Sequence, residues 1–528
     1  MAPTRLLVVD TVEWPEIATA VRQGPWTAEP GRPDRLRRTF VDTFDGRVLG
    51  RGQVLEVEER RREPVGLTLI DRTTGRSIAR VELPPAAGSP AAAPRFAWDL
   101  PAGRLADELV PVLGMRALLP FASVSTRRQT VGIRDREAKL VARVVLDDNV
   151  LVWADGVGRR QPLGRTLEIV ALRGYERETA KLTLALDDAL TLAPATDDLL
   201  ATVVARVGRP PGAVTSKFRV KLAPDLRSVD AAVAILDRLL VTIEANRQGT
   251  LDQLDTEFLH DLRVAVRRTR SGLKAFPGIF RPSALARFVP GFRWVQQATG
   301  AARDLDVQLL EFDEELRRLP PDVAETLQPL QLLLEAKHRA AHRATDRALR
   351  SVRFLRLLER WQGFLEAPPP GPDADRPIVD VASERIWRAY RRVVKPGRAI
   401  TAASPADDLH DLRKRGKELR YLLEFFAPLH PKTEVGRLVT ELKALQDNLG
   451  AFQDDQVQAA GLRSYAEELL ELTSTSETLV ALGQLVAHHE DTSKAARAEF
   501  AGRFAAFDDL ENRERFAALV RPEGADGA

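Results

Sequence analysis

Two hydrophobic rhythms divide the chain. From the start to about residue 208, apolar and polar positions alternate in short runs: RLLVVDTV (5–12), QVLEVEER (53–60), VGLTLID (65–71), SIARVEL (77–83), KLVARVVLD (139–147) and AKLTLAL (180–186). A period of two sends successive side chains to opposite faces of a strand. DRTTGR and DDNV read as turns between them. Strands so close together favour antiparallel pairing, so residues 1–208 are expected to form an α+β antiparallel barrel. PAAGSPAAAP (85–94) is expected as a surface loop, and 209–225, around GRPPGAV, as a linker.

From about 226 to 515 the period becomes helical. Amphipathic runs at 228–248, 256–276, 326–365, 382–395, 406–427 and 433–463 are separated by FPGIFRPS, APPPGPDADRP and APLHPK, whose prolines and glycines stop helices. The fold class is therefore multi-domain, with an all-α second part and a disordered tail at 516–528.

One helical run is unusual. In LHDLRVAVRRTRSGLKAF (259–276), Leu259, Leu262, Val266, Leu273 and Phe276 mark a buried face. His260, Arg263, Arg267, Arg270 and Lys274 keep the same period. At about 100° per residue these five fall in a wedge of roughly 80°, about a quarter turn from the apolar one. The run has a twin: FLHDLRVAVRRTRSGLKAF (258–276) aligns with DLHDLRKRGKELRYLLEFF (408–426), and QQATGAARDLDVQ (296–308) with QDNLGAFQDDQVQ (446–458), both at an offset of 150. His260 matches His410, Arg263 matches Arg413, Arg267 matches Lys417, Arg270 matches Arg420, Gly300 matches Gly450 and Asp304 matches Asp454. The helical part is expected to be a duplication, with halves at about 226–370 and 377–515 related by a pseudo-twofold axis.

In that arrangement His260, Arg263, Arg267, Arg270 and Lys274 meet His410, Arg413, Lys414, Lys417 and Arg420 across a shared groove, with Arg268 close by. Facing cations repel, so an anion is expected between them. Arginine's planar fork suits phosphate oxygens. The plainer reading is a solvated face or ion-pair ladder, in which Asp304, Asp306, Asp454 and Asp455 neutralise some of the arginines. Each of His260 and His410 fits two roles: a hydrogen bond to phosphate, or an anchor on a neighbouring backbone carbonyl. Arg343, Arg347 and Arg350 on one helix, and Arg388, Arg391, Arg392 and Lys395 on another, are candidate extensions of the basic surface. His338 and His342 have a zinc-chelating spacing but no HExxH glutamate, so a solvated or phosphate-facing pair is expected.

Composition narrows the chemistry. Net charge is only +3 over 528 residues, so the basic surface must be local. With no cysteine, disulfides, cysteine-ligated metals and thiol nucleophiles are excluded. No basic-then-apolar leader and no apolar run of membrane-spanning length is found, so a cytoplasmic location without membrane attachment is the expectation. Phosphate-binding glycine loops of nucleotide enzymes and the GxSxG elbow are missing. No cofactor or bound metal is expected.

The motifs LHDLRVAVRRTRSGLKAF, GAARDLDVQLL, LHDLRKRGKELRYLLEFF and LGAFQDDQVQ, in that order, resemble the CHAD domain, the conserved-histidine α-helical domain. The resemblance covers about 226–515. It implies two antiparallel four-helix bundles, a basic central surface and binding of inorganic polyphosphate, often at polyphosphate granules. The first part is similar to a CYTH domain, the triphosphate tunnel fold, through RTFVDTFDGRVLGRGQVLEVEER (38–60), RRQTVGIRDREAKLVARVVLDD (127–148) and RTLEIVALRGYERETAKL (165–182). That family opens on ExExK, which holds metal and triphosphate, whereas this chain opens on RLLVVDTVEWPEI. The barrel is thus expected to be degenerate and not an enzyme, with Arg127 and Arg128 available to phosphate. The alternative is a metal-dependent triphosphatase rebuilt on Glu56, Glu58 and Glu168. A second alternative, nucleic-acid binding, is disfavoured by 6% aromatic residues, with Tyr421 alone beside the basic motif.

Overall fold

The computed structural model describes residues 4–8, 12–60, 63–83, 95–154, 156–190, 192–194, 198–208, 212, 218–471 and 476–519. It separates into two compact units, residues 1–215 and 216–528. The loop expected at 85–94, linker residues 209–211 and 213–217, and the chain beyond 519 lie outside the described residues.

The first unit is one antiparallel sheet. Its strands are β1 (Thr4–Val8), β2 (Thr27–Pro30), β3 (Asp34–Thr43), β4 (Gln53–Arg60), β5 (Val65–Asp71), β6 (Ser77–Leu83), β7 (Leu118–Arg134), β8 (Leu140–Ala154), β9 (Val157–Ala171) and β10 (Leu192–Pro194). They run in the order β10-β1-β9-β8-β7-β3-β4-β5-β6, with β2 added on β7. Among the described residues the two ends of this path do not pair with each other. The runs read at 53–60, 65–71 and 77–83 are strands with those bounds.

Two readings fail here for physical reasons. AKLTLAL (180–186) lies inside helix α3 (Glu176–Ala189). Its alternating leucines also fit a helical face: Thr179, Leu182 and Leu186 are buried, while Leu184 is 70% exposed. DDNV is no turn but the middle of β8. Its polar side chains have polar partners inside the sheet: Asp147 accepts from Arg38 (2.9 Å) and from Arg128 (2.8 and 2.7 Å), and buried Asn149 accepts from Thr126 (2.8 Å).

The second unit is helical throughout. The first half contains α5 (Ser228–Leu251), α6 (Thr256–Ala275), α7 (Pro282–Ala286), α8 (Val289–Ala298), α9 (Gly300–Arg318), α10 (Pro321–Thr326), α11 (Gln328–Arg350) and α12 (Val352–Glu366). The second contains α13 (Ile378–Gly397), α14 (Ala406–Phe426), α15 (Lys432–Glu471), α16 (Ser476–Phe507) and α17 (Leu510–Ala518), so 516–518, expected in the tail, are helical. The helix of α8 and α9 breaks at Thr299, whereas its counterpart α15 runs unbroken through Gly450. Phe218 and Leu222, expected at the end of the linker, pack on this unit; Phe218 tilts against Phe425 with ring centroids 5.2 Å apart.

The halves do not keep separate cores. One apolar cluster takes residues from α5, α6 and α12 together with α13, α14 and α17, and a second joins α9 and α11 to α15 and α16. The pseudo-twofold axis is visible in the contacts. Gln308 and Gln458, equivalent under the offset of 150, bond to each other (3.0 Å). Arg268 pairs with Glu424, and Lys274 with Glu418 (3.4 Å). Since 268 corresponds to 418 and 274 to 424, each of these ion pairs is the symmetry mate of the other, with the charges reversed in one half. His489 adds a further bridge, its Nε2 3.4 Å from Glu315 of the first half and its Nδ1 2.8 Å from Asp455 of the second. Its bond to Glu315, helped by Asp455 and opposed by burial, pushes the imidazole up to about 9, so it is charged at neutral pH.

Arg268 and Glu424 are both largely covered, at 13% and 23% side-chain exposure, so removing either leaves an uncompensated charge between the halves. Arg268→Glu and Glu424→Arg are each expected to cost about 1–3 kcal/mol in denaturant unfolding followed by helical circular dichroism. The double exchange should recover more than half of the summed loss.

Candidate anion-binding site

Helices α6 and α14 pack beside each other around the axis. Asp255 caps α6 by accepting from the amides of Glu257 and Phe258 (2.9 and 3.2 Å). Both helices bury leucines on one side: Leu259, Leu262 and Leu273 on α6, and Leu409, Leu412 and Leu419 on α14. That fixes the rotation that brings the basic wedges toward one another.

The basic residues then divide into two groups. Arg268, Lys274, Lys414, Arg413 and Arg420 have carboxylates. Beyond the two pairs across the axis, Lys414 bonds exposed Asp411 one turn back (3.0 Å), Arg413 reaches Asp454 (3.1 Å) and Arg420 lies 3.5 Å from Glu424. Arg268 and Lys274 tie the halves together, and Lys414 faces out in a local pair. Arg263, Arg267, Arg270 and Lys417 are different, with no carboxylate within 4 Å among the described residues. Arg263 donates to the Gln296 carbonyl (2.9 Å) and to Thr299 Oγ1 (3.0 Å) at the α8–α9 break. Among the described residues Arg267 and Lys417, equivalent to each other, make no hydrogen bond or ion pair, and the Nε atoms of Arg267 and Arg413 are buried without a partner.

The electrostatics record this crowding. Burial, then Arg413 and Arg267, then Arg420 hold the Lys417 ammonium down to about 8, against a smaller opposing effect of Asp454. Burial lowers Arg263, with Arg267 and Arg303 adding to it against Asp304. Burial and Arg293 lower Arg270. Arg293 and Arg303 were missed by the reading of single helices. The offset of 150 carried a signal for the first, because its equivalent is the exposed Lys443.

The histidines play other parts. His410 Nδ1 donates to Gln453 Oε1 on α15 (2.7 Å), which is neither of the two roles expected of it; His260 is half-buried at the matching place on α6. His338, partly exposed, and buried His342 both direct Nε2 at one oxygen of buried Asp306 on α9 (2.8 and 2.7 Å). Arg343 and Arg347 stand exposed on α11 and Arg350 is tied to Asp346 (2.8 Å), and none is an electrostatic neighbour of the central cations. Arg391 lines a cavity of about 960 Å³ with Arg388, Arg392, Lys395 and Arg415; a neighbouring cavity of about 500 Å³ shares Arg388 and Arg392 and reaches Lys274.

In the first unit, two of the three proposed carboxylates are already engaged. Glu56 lies 3.4 Å from Arg38, and Glu58 lies 3.0 Å from Arg60. Arg38 is surrounded by Glu56, Asp147, Glu58 and Glu168, which raise it despite its burial. Arg128, expected to be open to phosphate, grips Asp147 with two bonds; Arg127 is exposed.

Residues 234–463 match the CHAD domain family model. Two uncharacterised proteins of Mycobacterium tuberculosis, from strains CDC 1551 and H37Rv, are each 25% identical over 437 residues, covering 79% of this chain and 81% of theirs. Among solved structures, the CHAD domain from the plant Ricinus communis is 24% identical and covers 57% of this chain and 96% of its own, with a TM-score of 0.43. PptA from Streptomyces chartreusis is 20% identical over 53% of this chain and 99% of its own, at a TM-score of 0.42. A Hippeastrum protein described as having a dominant triphosphatase activity is 16% identical over 40% of this chain and 97% of its own, at 0.28. Among the described residues no helix is long and apolar enough to cross a membrane.

Lys417 carries a testable cost. A lysine held at about 8 in the fold but near 10.5 unfolded destabilises the fold fully below pH 8, and the penalty disappears as pH rises past 10.5. Lys417→Met is therefore expected to stabilise the anion-free protein by up to about 3 kcal/mol at pH 6–7. The gain should vanish near pH 10.5 in denaturant unfolding measured across pH.

Proposed function

We propose that the helical unit, which carries a CHAD domain over residues 234–463, binds inorganic polyphosphate across the α6–α14 surface. The observation that carries this reading is the facing pair Arg267 and Lys417, kept basic in both halves, partly buried and without a carboxylate of their own. Evenly spaced negative charges relieve that repulsion, and forked guanidinium groups on Arg263, Arg267 and Arg270 match phosphate oxygens. Arg413 keeps a buried Nε–H group to offer alongside its existing pair. On this reading the protein works in the cytoplasm, at polyphosphate granules.

One observation favours polyphosphate over RNA. Tyr421, the aromatic residue beside the motif, is 2% exposed and already has Arg268 and Arg420 at 5.8 and 5.7 Å from its ring centre. It offers no face for a base to stack on. For the first unit we propose support rather than phosphate hydrolysis, because Glu56 and Asp147 are spent on Arg38 and Arg128. Release of phosphate from tripolyphosphate with Mg²⁺ or Mn²⁺, lost in Glu56→Gln, would overturn that assignment.

Binding to a polyanion by release of its counterions weakens steeply with salt. The variant Arg263→Ala, Arg267→Ala, Arg413→Ala, Lys417→Ala is expected to lose at least ~100-fold in affinity for long-chain polyphosphate at modest ionic strength while keeping its helicity. The slope of log affinity against log salt should flatten by roughly 3, about 0.7 for each charge removed. Unchanged binding by this variant, or complete displacement of polyphosphate by equimolar RNA, would refute the reading.

A further inference from the structure

Helix α13 carries a second basic surface. Arg388, Arg391, Arg392 and Lys395 recur at helical spacing and, with Arg415 of α14, line the cavity of about 960 Å³. All five are exposed, and among the described residues none has a carboxylate within 4 Å. Arg398 and Arg513 on the same wall are different, both held by Asp508 (2.6 and 2.9 Å). Glu384, the acid on that wall, is taken by Arg376. Trp387 is half-buried on the wall, its ring centre 5.5 Å from that of Tyr390, with Val394 and Pro396 further along. The crowding of positive charge reaches the neighbouring Arg385, which burial and Arg388 hold below its ordinary range against Asp373 and Glu384.

The duplication supplies an internal comparison. The Ser228 amide donates to the Arg376 carbonyl (2.9 Å) and the Ile378 amide to the Leu226 carbonyl (2.8 Å). These bonds are mates at the offset of 150 and align α13 with α5. On α5 the positions of Trp387, Arg391, Arg392 and Lys395 hold Asp237, Val241, Thr242 and Ala245, and Arg415 corresponds to Ala265 on α6. Only Arg388 keeps a cation, in Arg238. The duplicated framework therefore folds without this charge, and the site occurs once per chain.

We propose that this cavity binds a nucleoside triphosphate, with its phosphates on Arg388, Arg391, Arg392, Lys395 and Arg415 and its base against Trp387. Cations gathered without carboxylates favour a compact polyanion, and forked guanidinium groups match its phosphate oxygens. The cavity has the size that encloses one small ligand rather than a long chain. An indole takes a planar ring by stacking, which bare polyphosphate cannot supply. The central α6–α14 surface has no such aromatic group to offer, since Tyr421 is 2% exposed.

The test uses the full-length protein carrying Arg263→Ala, Arg267→Ala, Arg413→Ala and Lys417→Ala, so that the central surface is disabled. It is titrated by calorimetry with ATP and with tripolyphosphate, without divalent ions. One equivalent of ATP should bind, at least ~10-fold tighter than tripolyphosphate. Trp387→Ala should erase that advantage and leave tripolyphosphate within about twofold. Arg391→Ala with Arg415→Ala, at exposed positions, should weaken both ligands at least ~10-fold with helicity unchanged. Arg343→Ala with Arg347→Ala on α11 should alter neither. Should Trp387→Ala lose helicity, the ratio of ATP to tripolyphosphate affinity and the Arg391, Arg415 variant decide. ATP bound no tighter than tripolyphosphate, or less tightly than a short single-stranded RNA, would overturn the site. So would ATP binding that the unmodified protein shows and the central variant has lost. Retention of long-chain polyphosphate by the unmodified protein is a separate measurement, and the two readings fail independently.

Discussion

The helical unit rests on a constraint of symmetry: near a twofold axis, a residue meets its own equivalent. A duplicated cation near the axis faces a cation, and burial makes that costly. The chain meets the constraint in three ways. Gln308 and Gln458 are amides, which both donate and accept, so like can bond like. At 268 and 274 the second half has reversed the charge, to Glu418 and Glu424, and the repulsion becomes two ion pairs. At 267 and 417 both halves stay basic and the repulsion is kept. Reversed positions hold the halves together; the retained one keeps its repulsion, and Lys417 held down to about 8 is its cost.

Much of this was legible before any coordinates. The offset of 150 identified the duplicated helices, and the leucine spacing set the faces of α6 and α14. What could not be read was which cations were already taken. Lys274 keeps the period of Arg267 and Arg270, Arg268 lies next to Arg267, and the partners of both sit on a helix about 150 residues away. The reversal at Glu418 and Glu424 was visible in the alignment and is the signal that could have removed them. In the first unit, polar residues at the middle of β8 looked like a turn because alternation assumes an apolar interior. The interior around Asp147 is polar, and Arg38 and Arg128 make the burial of its charge tolerable.

The two units thus treat buried charge in opposite ways. Around Arg38 the closest carboxylates are paired, Glu56 and Asp147 with Arg38 and Asp147 also with Arg128. Between α6 and α14 several guanidinium nitrogens remain unsatisfied. Local pairing, rather than net charge, separates a framework from a binding surface, and a total of +3 over the whole chain conceals both.

The acids around the central cations set the direction a bound chain can take. Asp304 is raised by burial and by the approach of Asp306 and Asp454, and Glu311 by burial, Asp454 and Glu315, so carboxylates crowd together beyond Arg263 and Arg413. A polyanion running that way, toward Gln308 and Gln458, would meet like charge. The other direction has cations: Arg270 with Arg293 on one side of the axis, and Arg420 with its share of Glu424 on the other. On the proposed reading, a phosphate chain would run from Arg270 over Arg267 and Lys417 toward Arg420. Its two ends differ, since Arg270 has Arg293 beside it whereas Arg420 shares Glu424.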